Sequence, residues 1–396
     1  MNWTGDRSQE IDLAIGYQPS AISLRVRIVV LGAGIVGASA AYHLTRLGAE
    51  VYLIDRDAPG RATFAGAGII CPWLSQVRDP PYEGLSFAAA RYYPELVVEL
   101  AAAGETETEY EVVGGLVVGD SAFQLEAIVK RLQEQLDRGA KEIGEVRLLS
   151  PGGPKERFRY LDSALTGVYL SGAARVSGEM FRAALCKAAI RADARRLLGT
   201  AALETSGQTV VGVRVNGEYI PSDTVIISAG AWSSELCRPL GIDLAVEPQR
   251  GQIVHLRVPE TDTGTLPIIL PALSDYYLLG FPDSRIVIGA TRETGSGFDF
   301  RVTAGGVTEV LQEGFRIAPE LQQATLTEIR VGFRPVSKDG LPLLGRIPSV
   351  PGLVIATGLG PYGLTVGPYV GLLAAQLAVG KTPAQDVSGF EPERVI

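Results

Sequence analysis

The 396-residue chain is poor in the side chains that most metal and hydrolytic chemistries need. Its three cysteines, Cys71, Cys186 and Cys237, are far apart and form no CxxC pair. An odd, scattered set excludes a disulfide framework and argues against a thiolate zinc site. There are two histidines, His43 and His255. A His-ligated metal or a Ser–His–Asp triad would have to use one of them, so neither is expected. Clusters of Lys and Arg are missing and the net charge is −8, which excludes the basic footprint of a nucleic-acid binder. Long hydrophobic runs are missing too. Residues 347–380 carry no charge, but four prolines and seven glycines divide them. The longest proline-free piece there, Tyr369 to Gly380, falls short of the ~20 residues of a spanning helix. Residues 1–24 lack the basic start and apolar core of a signal peptide and read as a flexible extension. A cytoplasmic protein is expected, with a peripheral membrane contact left open.

What remains is an ordinary globular composition, 46% apolar and 20% charged. At ~150 residues per domain the length gives two to three domain-sized units. Glycine is abundant, with 47 residues against an average usage of ~7%. That excess points to tight turns or to backbone lying close to a ligand.

Apolar runs separated by glycines set out the elements. Strands are expected at 25–31, 51–54, 112–118, 210–215, 225–227 and 353–356. Helices are expected at 35–47, 86–103 with a break near Pro94, 122–136, 178–191, 306–317 and 368–379. Stretches 252–257, 276–279 and 285–288 read as strands of a second, mostly antiparallel sheet. No linker separates these groups, so the domains are expected to interleave.

The most specific motif is Gly32-Ala33-Gly34-Ile35-Val36-Gly37, which follows a strand and opens a helix. Gly32 permits the tight turn, Gly34 lets backbone approach a pyrophosphate, and Gly37 lets the helix pack on the strand. Phosphates would meet the free N–H groups and positive dipole end of that helix. Asp55 closes the second strand, where its carboxylate can accept from ribose hydroxyls. Strand, motif, helix, strand and acid in this order make a dinucleotide site, with FAD or NAD left open by the motif alone. After Asp55 come Arg56 and the small-residue run Thr63, Ala65, Gly66, Ala67, Gly68 and Ile69. It can pass close to a flat, bulky group, which favours FAD. A second backbone cradle, 356–363, precedes the last helix. Its N-terminus can face a flavin ring and stabilise negative charge.

The segments IVVLGAGIVGASAAYHL, VYLIDRD, FAGAGII, VIISAGAWS, RGQIVHL, RIVIGATRE, GFRPVSKDGLPLLG and ATGLGPYGLTVGP resemble the FAD-dependent D-amino acid oxidase/glycine oxidase superfamily, with its sarcosine oxidase-like and D-amino acid dehydrogenase-like members. The resemblance runs from about Arg25 to Gly380. It implies an α/β fold with a Rossmann-like FAD domain over 25–85, 160–243 and 330–396. Interleaved with it is an α+β substrate domain with a mostly antiparallel sheet over 86–159 and 244–329. It also implies FAD-contacting backbone at Ala202, at Ala229, Gly230 and Trp232, and at Gly360, Pro361, Tyr362, Gly363, Leu364 and Thr365. No Cys or His stands where relatives attach flavin, so the FAD is expected to be noncovalent.

The resemblance further implies oxidation of an amino acid's Cα–N bond, with hydride transfer to the flavin. The substrate type is a D-amino acid, glycine or N-methylglycine, giving an imine and then a 2-oxo acid and ammonia. Electrons pass to O2, a quinone or another acceptor. Arg334 is the implied carboxylate anchor, because a guanidinium fork binds a carboxylate bidentately; pairing with Asp339 or a backbone carbonyl is its structural alternative. Tyr277 matches the pocket tyrosine, although a slip of one residue would exchange it with Tyr276. Glycine oxidase-like members carry a polar or basic residue where this chain has Pro361, which puts glycine itself in doubt and turns attention to Tyr362. Cys71, Trp73 and Gln76 follow the flavin-side loop. The alternatives are a 2-hydroxy acid dehydrogenase and the flavoprotein subunit of a hetero-oligomeric amine dehydrogenase; a homo-oligomer is left open.

Overall fold

The computed structural model describes residues 25–120, 122–259 and 261–396, so the extension expected over 1–24 lies outside the described residues. One six-stranded sheet has the order 343–346, 353–357, 224–227, 27–31, 50–55 and 195–198. Its pairings are parallel except the one between 343–346 and 353–357. The strands at its centre are the continuous apolar runs, with Ile28, Val29, Val30, Val225, Ile226 and Ile227 fully buried. A parallel sheet covered on both faces requires such runs rather than alternation. Helix Ile35–Arg46 packs against helices Gly178–Arg191 and Gly363–Ala378.

The other main sheet has eight strands, in the order 325–337, 246–257, 285–289, 277–281, 268–271, 115–119, 166–170 and 146–149. Only 268–271 and 115–119 pair in parallel. Helix Ala304–Ile317 packs on Val246–Arg257 and Arg285–Gly289, and helix Ala122–Asp137 packs at the other end. The result is the α/β architecture with a mostly antiparallel second sheet that the sequence implied.

The element boundaries differ from expectation in places. Strand Thr166–Leu170 lies in the eight-stranded sheet and not in the first domain, where a boundary at 159/160 would put it. Strand Thr325–Ser337 pairs along the whole of Val246–Arg257 and crosses the boundary at 329/330. The boundary at 85/86 falls inside a helix, Pro80–Ala102, which is unbroken at Pro94. The Asp79 carboxylate accepts the Tyr82 N–H at 2.8 Å. Pro80 and Pro81 occupy first-turn positions where a missing N–H leaves no intrahelical bond unmade. Around Pro94, the buried Tyr93, Leu96 and Leu100 hold the helix to the core. The last helix likewise begins at Gly363 and not at 368, with Pro368 inside it. Proline there leaves the carbonyl of Leu364 without its intrahelical donor, and the Tyr93 hydroxyl donates to that carbonyl instead.

Candidate active site

The turn after the first strand is shaped by its glycines. Gly32 has φ of +99°, in the left-handed region that favours glycine. A Cβ on Gly37 would lie 1.8 Å from the Gly32 carbonyl oxygen, so only glycine lets the helix sit this close to the turn. The Ser228 hydroxyl donates within 3.0 Å of the carbonyls of Leu31 and Gly32 and ties the turn to strand 224–227. The carboxylate of Asp55 accepts the N–H groups of Ala33 and Asp57, each at 2.6 Å, and is therefore aimed by backbone at the head of the helix.

From this turn a cavity of about 550 Å³ extends between the two sheets. Gly32, Asp55, Thr200, Thr63, Gly66, Gly68, Trp232 and Gly360 are among its lining residues. Tyr277, Arg334 and Tyr362 stand on the same wall. A dinucleotide fits these walls. Gly34 caps the helix without a side chain of its own, and the Thr63 hydroxyl accepts the first helical N–H, that of Ile35, at 3.1 Å. The nearest atom to a Cβ on Gly34 would be Thr63 Oγ1 at 3.4 Å, which leaves open room for a phosphate. Trp232 is braced outside by stacking on Phe298, with ring centroids 5.0 Å apart.

Of the cofactor residues implied by sequence, most stand on the cavity wall, including Ile35, Val36, Arg56, Ala65, Ala67, Ile69, Ala229, Gly230, Pro361, Gly363, Leu364 and Thr365. Ala33 and Gly37 support the turn from behind. Ala202 itself is not on the wall. It is exposed in strand Ala201–Ser206, and the wall there is made by Gly199, Thr200 and Ala201.

Arg334 stands on the wall from strand Thr325–Ser337. Its Nη1 donates to the carbonyl of Thr291 at 2.9 Å. Asp339, its possible structural partner, is taken by Arg394 at 2.7 Å. Among the described residues no carboxylate lies within 4.0 Å of Arg334. Burial pulls its pKa down from the ordinary arginine value, and the nearby Tyr277 opposes this. Burial likewise raises the pKa of Tyr277, with Arg334 pulling the other way. A guanidinium left with unused N–H donors in a shielded wall is an unfinished anion site. Tyr276 also borders the cavity, but its hydroxyl donates to Glu309 on the covering helix. Tyr362 reaches the wall from the last Gly-rich turn, and its hydroxyl accepts the Gln76 N–H at 3.4 Å.

Four arginines on the wall were not singled out from sequence: Arg61, Arg78, Arg131 and Arg292. Arg292 pairs with Asp275 at 3.4 Å. It follows the RIVIGAT segment directly, so extending that strand by its two-residue period was the available signal. Cys71 and Gln76 line the cavity, whereas Trp73 is a core residue at 1% exposure. Burial pushes the Cys71 thiol up to about 12. His43 and His255 are buried away from the cavity wall, and burial lowers each to about 3.

The family described as FAD dependent oxidoreductase, DAO, matches residues 27–377. This chain belongs to it. The structure of an iminodiacetate oxidase from Chelativorans sp. BNC1 superposes with a TM-score of 0.90 at 44% identity, covering 92% of this chain and 99% of that one. Glycine oxidase from Pseudomonas aeruginosa is 31% identical over 92% of this chain and 98% of its own. An uncharacterized oxidoreductase of Bacillus subtilis is 43% identical over 92% of this chain and 98% of its own. As a DAO-family member, the chain is an FAD-dependent oxidoreductase of the glycine oxidase superfamily.

Proposed function

We propose that this DAO-family enzyme oxidises the Cα–N bond of a small α-amino acid, glycine or an N-substituted glycine. The observation that carries this reading is Arg334, a shielded guanidinium on the cavity wall with no carboxylate partner among the described residues. Similarity to oxidases named for glycine and iminodiacetate supports the same choice.

The residues do their work by positioning. Arg334 offers its fork to the substrate carboxylate, and Tyr277 adds a hydroxyl donor beside it. Thr291 fixes one edge of the guanidinium, leaving the remaining donors toward the cavity. Holding the acid group in this way orients the Cα–H and the amine, and such orientation can supply ~7–11 kcal/mol of barrier reduction. Bound FAD, held noncovalently along the cradle from Gly32 to Gly34 and by Asp55, supplies the two-electron acceptor. The imine that remains is hydrolysed by water to the 2-oxo acid and ammonia, or to the 2-oxo acid and a primary amine where the nitrogen is substituted. No side-chain base is needed if the amine arrives neutral.

The test is a turnover panel of glycine, N-methylglycine, iminodiacetate, D- and L-amino acids and 2-hydroxy acids, with a dye acceptor and with O2. Ammonia or primary amine released in proportion to acceptor reduced is the expected result. Oxidation confined to hydroxy acids would replace this reading.

A further inference from the structure

Arg78 and Arg131 come from different parts of the fold and meet at the cavity. Arg78 lies in the loop just before helix Pro80–Ala102, and Arg131 lies on helix Ala122–Asp137, over the other sheet. Arg78 Nη1 and Arg131 Nη2 both donate to one acceptor, the carbonyl of Ser75, each at 2.8 Å. Two cations sharing one neutral oxygen repel each other. Burial, followed by the charge of Arg78, brings Arg131 down to about 10. The charge of Glu83 offsets this only in part. Among the described residues no carboxylate lies within 4.0 Å of either guanidinium. The acid beside them, Glu83, is engaged by Arg138 at 3.7 Å and by the Gln135 amide at 3.2 Å. Arg292, by contrast, already has Asp275.

Each guanidinium has five N–H donors and spends one on Ser75, so the pair retains enough to bind a carboxylate from both sides. The cavity wall also includes the apolar residues Leu74, Val117, Ile128 and Leu270. We propose that Arg78 and Arg131 form a second carboxylate subsite, which receives the distal acid group of an amine diacid whose proximal carboxylate is held by Arg334. This rests on the carboxylate role given to Arg334 above and adds the substrate class: an amine bearing two acid groups. A monoacid would leave the two arginines facing each other without compensation, so the site selects by charge as well as by size.

The experiment titrates purified yellow holoenzyme with thiodiacetate, a diacid with no C–N bond to oxidise, and with its monoamide. Binding is read from the change in the flavin absorption bands. The diacid is expected to bind at least tenfold more tightly than the monoamide. In Arg78→Gln/Arg131→Gln that ratio should fall to within about threefold of unity, while Arg78→Lys/Arg131→Lys should keep a preference for the diacid. A wild-type ratio near one overturns the subsite, as does a preference that survives the double Gln variant or vanishes instead in Arg292→Gln. The turnover panel separates the two readings. Oxidation of glycine-type monoacids without diacid preference leaves the Cα–N oxidase standing and removes the subsite. A diacid preference lost in the double Gln variant, with no amino acid oxidised, keeps the subsite and removes the oxidase.

Discussion

Gly251 lies directly against Arg334: a Cβ built on it would come within 2.7 Å of the guanidinium Nη1. The two residues sit on the paired strands Val246–Arg257 and Thr325–Ser337, where Gln249 is the registered partner of Arg334. Glycine at 251 thus gives the guanidinium its resting place. Gly251→Ala should move the head group, the flexible end of the side chain, while leaving the strands paired. The expected outcome is a KM for the amino acid raised about tenfold, the equivalent of ~1.4 kcal/mol, with FAD content and melting temperature close to wild type. Steady-state kinetics beside the flavin spectrum checks it.

Removing the guanidinium itself is the harsher test. Arg334→Ala should lower kcat/KM by roughly 10²–10³, as expected if two charge-assisted hydrogen bonds of ~1.5–3 kcal/mol are lost in part. Arg334→Lys should recover only a fraction, because an ammonium cannot reproduce the planar fork. The purified variant should stay yellow. Wild-type kinetics in Arg334→Ala would take this residue out of the site.

At the cofactor end, Gly34→Val should give apoprotein or insoluble protein, because the side chain would fill the space between the turn and Thr63. Asp55→Ala removes the acceptor of two backbone N–H groups. It should weaken FAD retention and cost ~1–3 kcal/mol of stability through the unsatisfied donors. Flavin-to-protein ratio after gel filtration and thermal melts measure both effects.

The parts of this site legible in the sequence are those that local chemistry dictates. The Gly32–Gly37 turn and Asp55 follow one another within one strand–helix–strand unit, so their spacing carries their geometry. Arg334 stands between apolar residues in GFRP, where a charge requires a reason. Arg131 gave no such signal. It sits on an amphipathic helix, and which polar residue of that helix reaches the cavity depends on how the helix docks on the sheet. Its meeting with Arg78 is a tertiary event between distant segments. Pro94 read as a break and Pro368 as the start of the last helix. The packing of Tyr93, and its bond to the carbonyl exposed by Pro368, decides otherwise.

Acid should loosen the segment that braces Trp232. Arg250 donates to Glu293 at 2.6 Å and lies 2.9 Å from Asp299, joining strand Val246–Arg257 to the stretch that carries Phe298. Burial alone would raise the pKa of Glu293, but the hydrogen bonds from Arg250, Gln252 and Thr291 outweigh it and leave the value below the usual 4.5. The unfolded carboxylate therefore takes up its proton at higher pH than the folded one. The resulting stability is fully present above 4.5 and is lost as pH falls through the lower folded value. Arg250→Met should flatten the acid limb of the melting-temperature profile, measured by thermal melts from pH 7 to pH 3.

The pH dependence of turnover should belong to the substrate and not to a histidine. His43 and His255 are each lowered to about 3, and the Cys71 thiol is raised to about 12. Tyr277 is raised, so it keeps its proton at neutral pH. Arg334 is lowered from a very high starting value and remains a cation there. The histidines, Cys71, Tyr277 and Arg334 are thereby removed as the source of a limb between pH 5 and 8, and the amine must lose its proton before its lone pair can assist Cα–H cleavage. The acid limb of kcat/KM should then move with the amine pKa across a substrate series, by close to one pH unit for each unit of substrate pKa. Replacing His255 by Asn should leave the limb where it is. A limb fixed in position across amines of different basicity would show that a protein group controls the reaction, and would end the account in which Arg334 and Tyr277 only position the substrate.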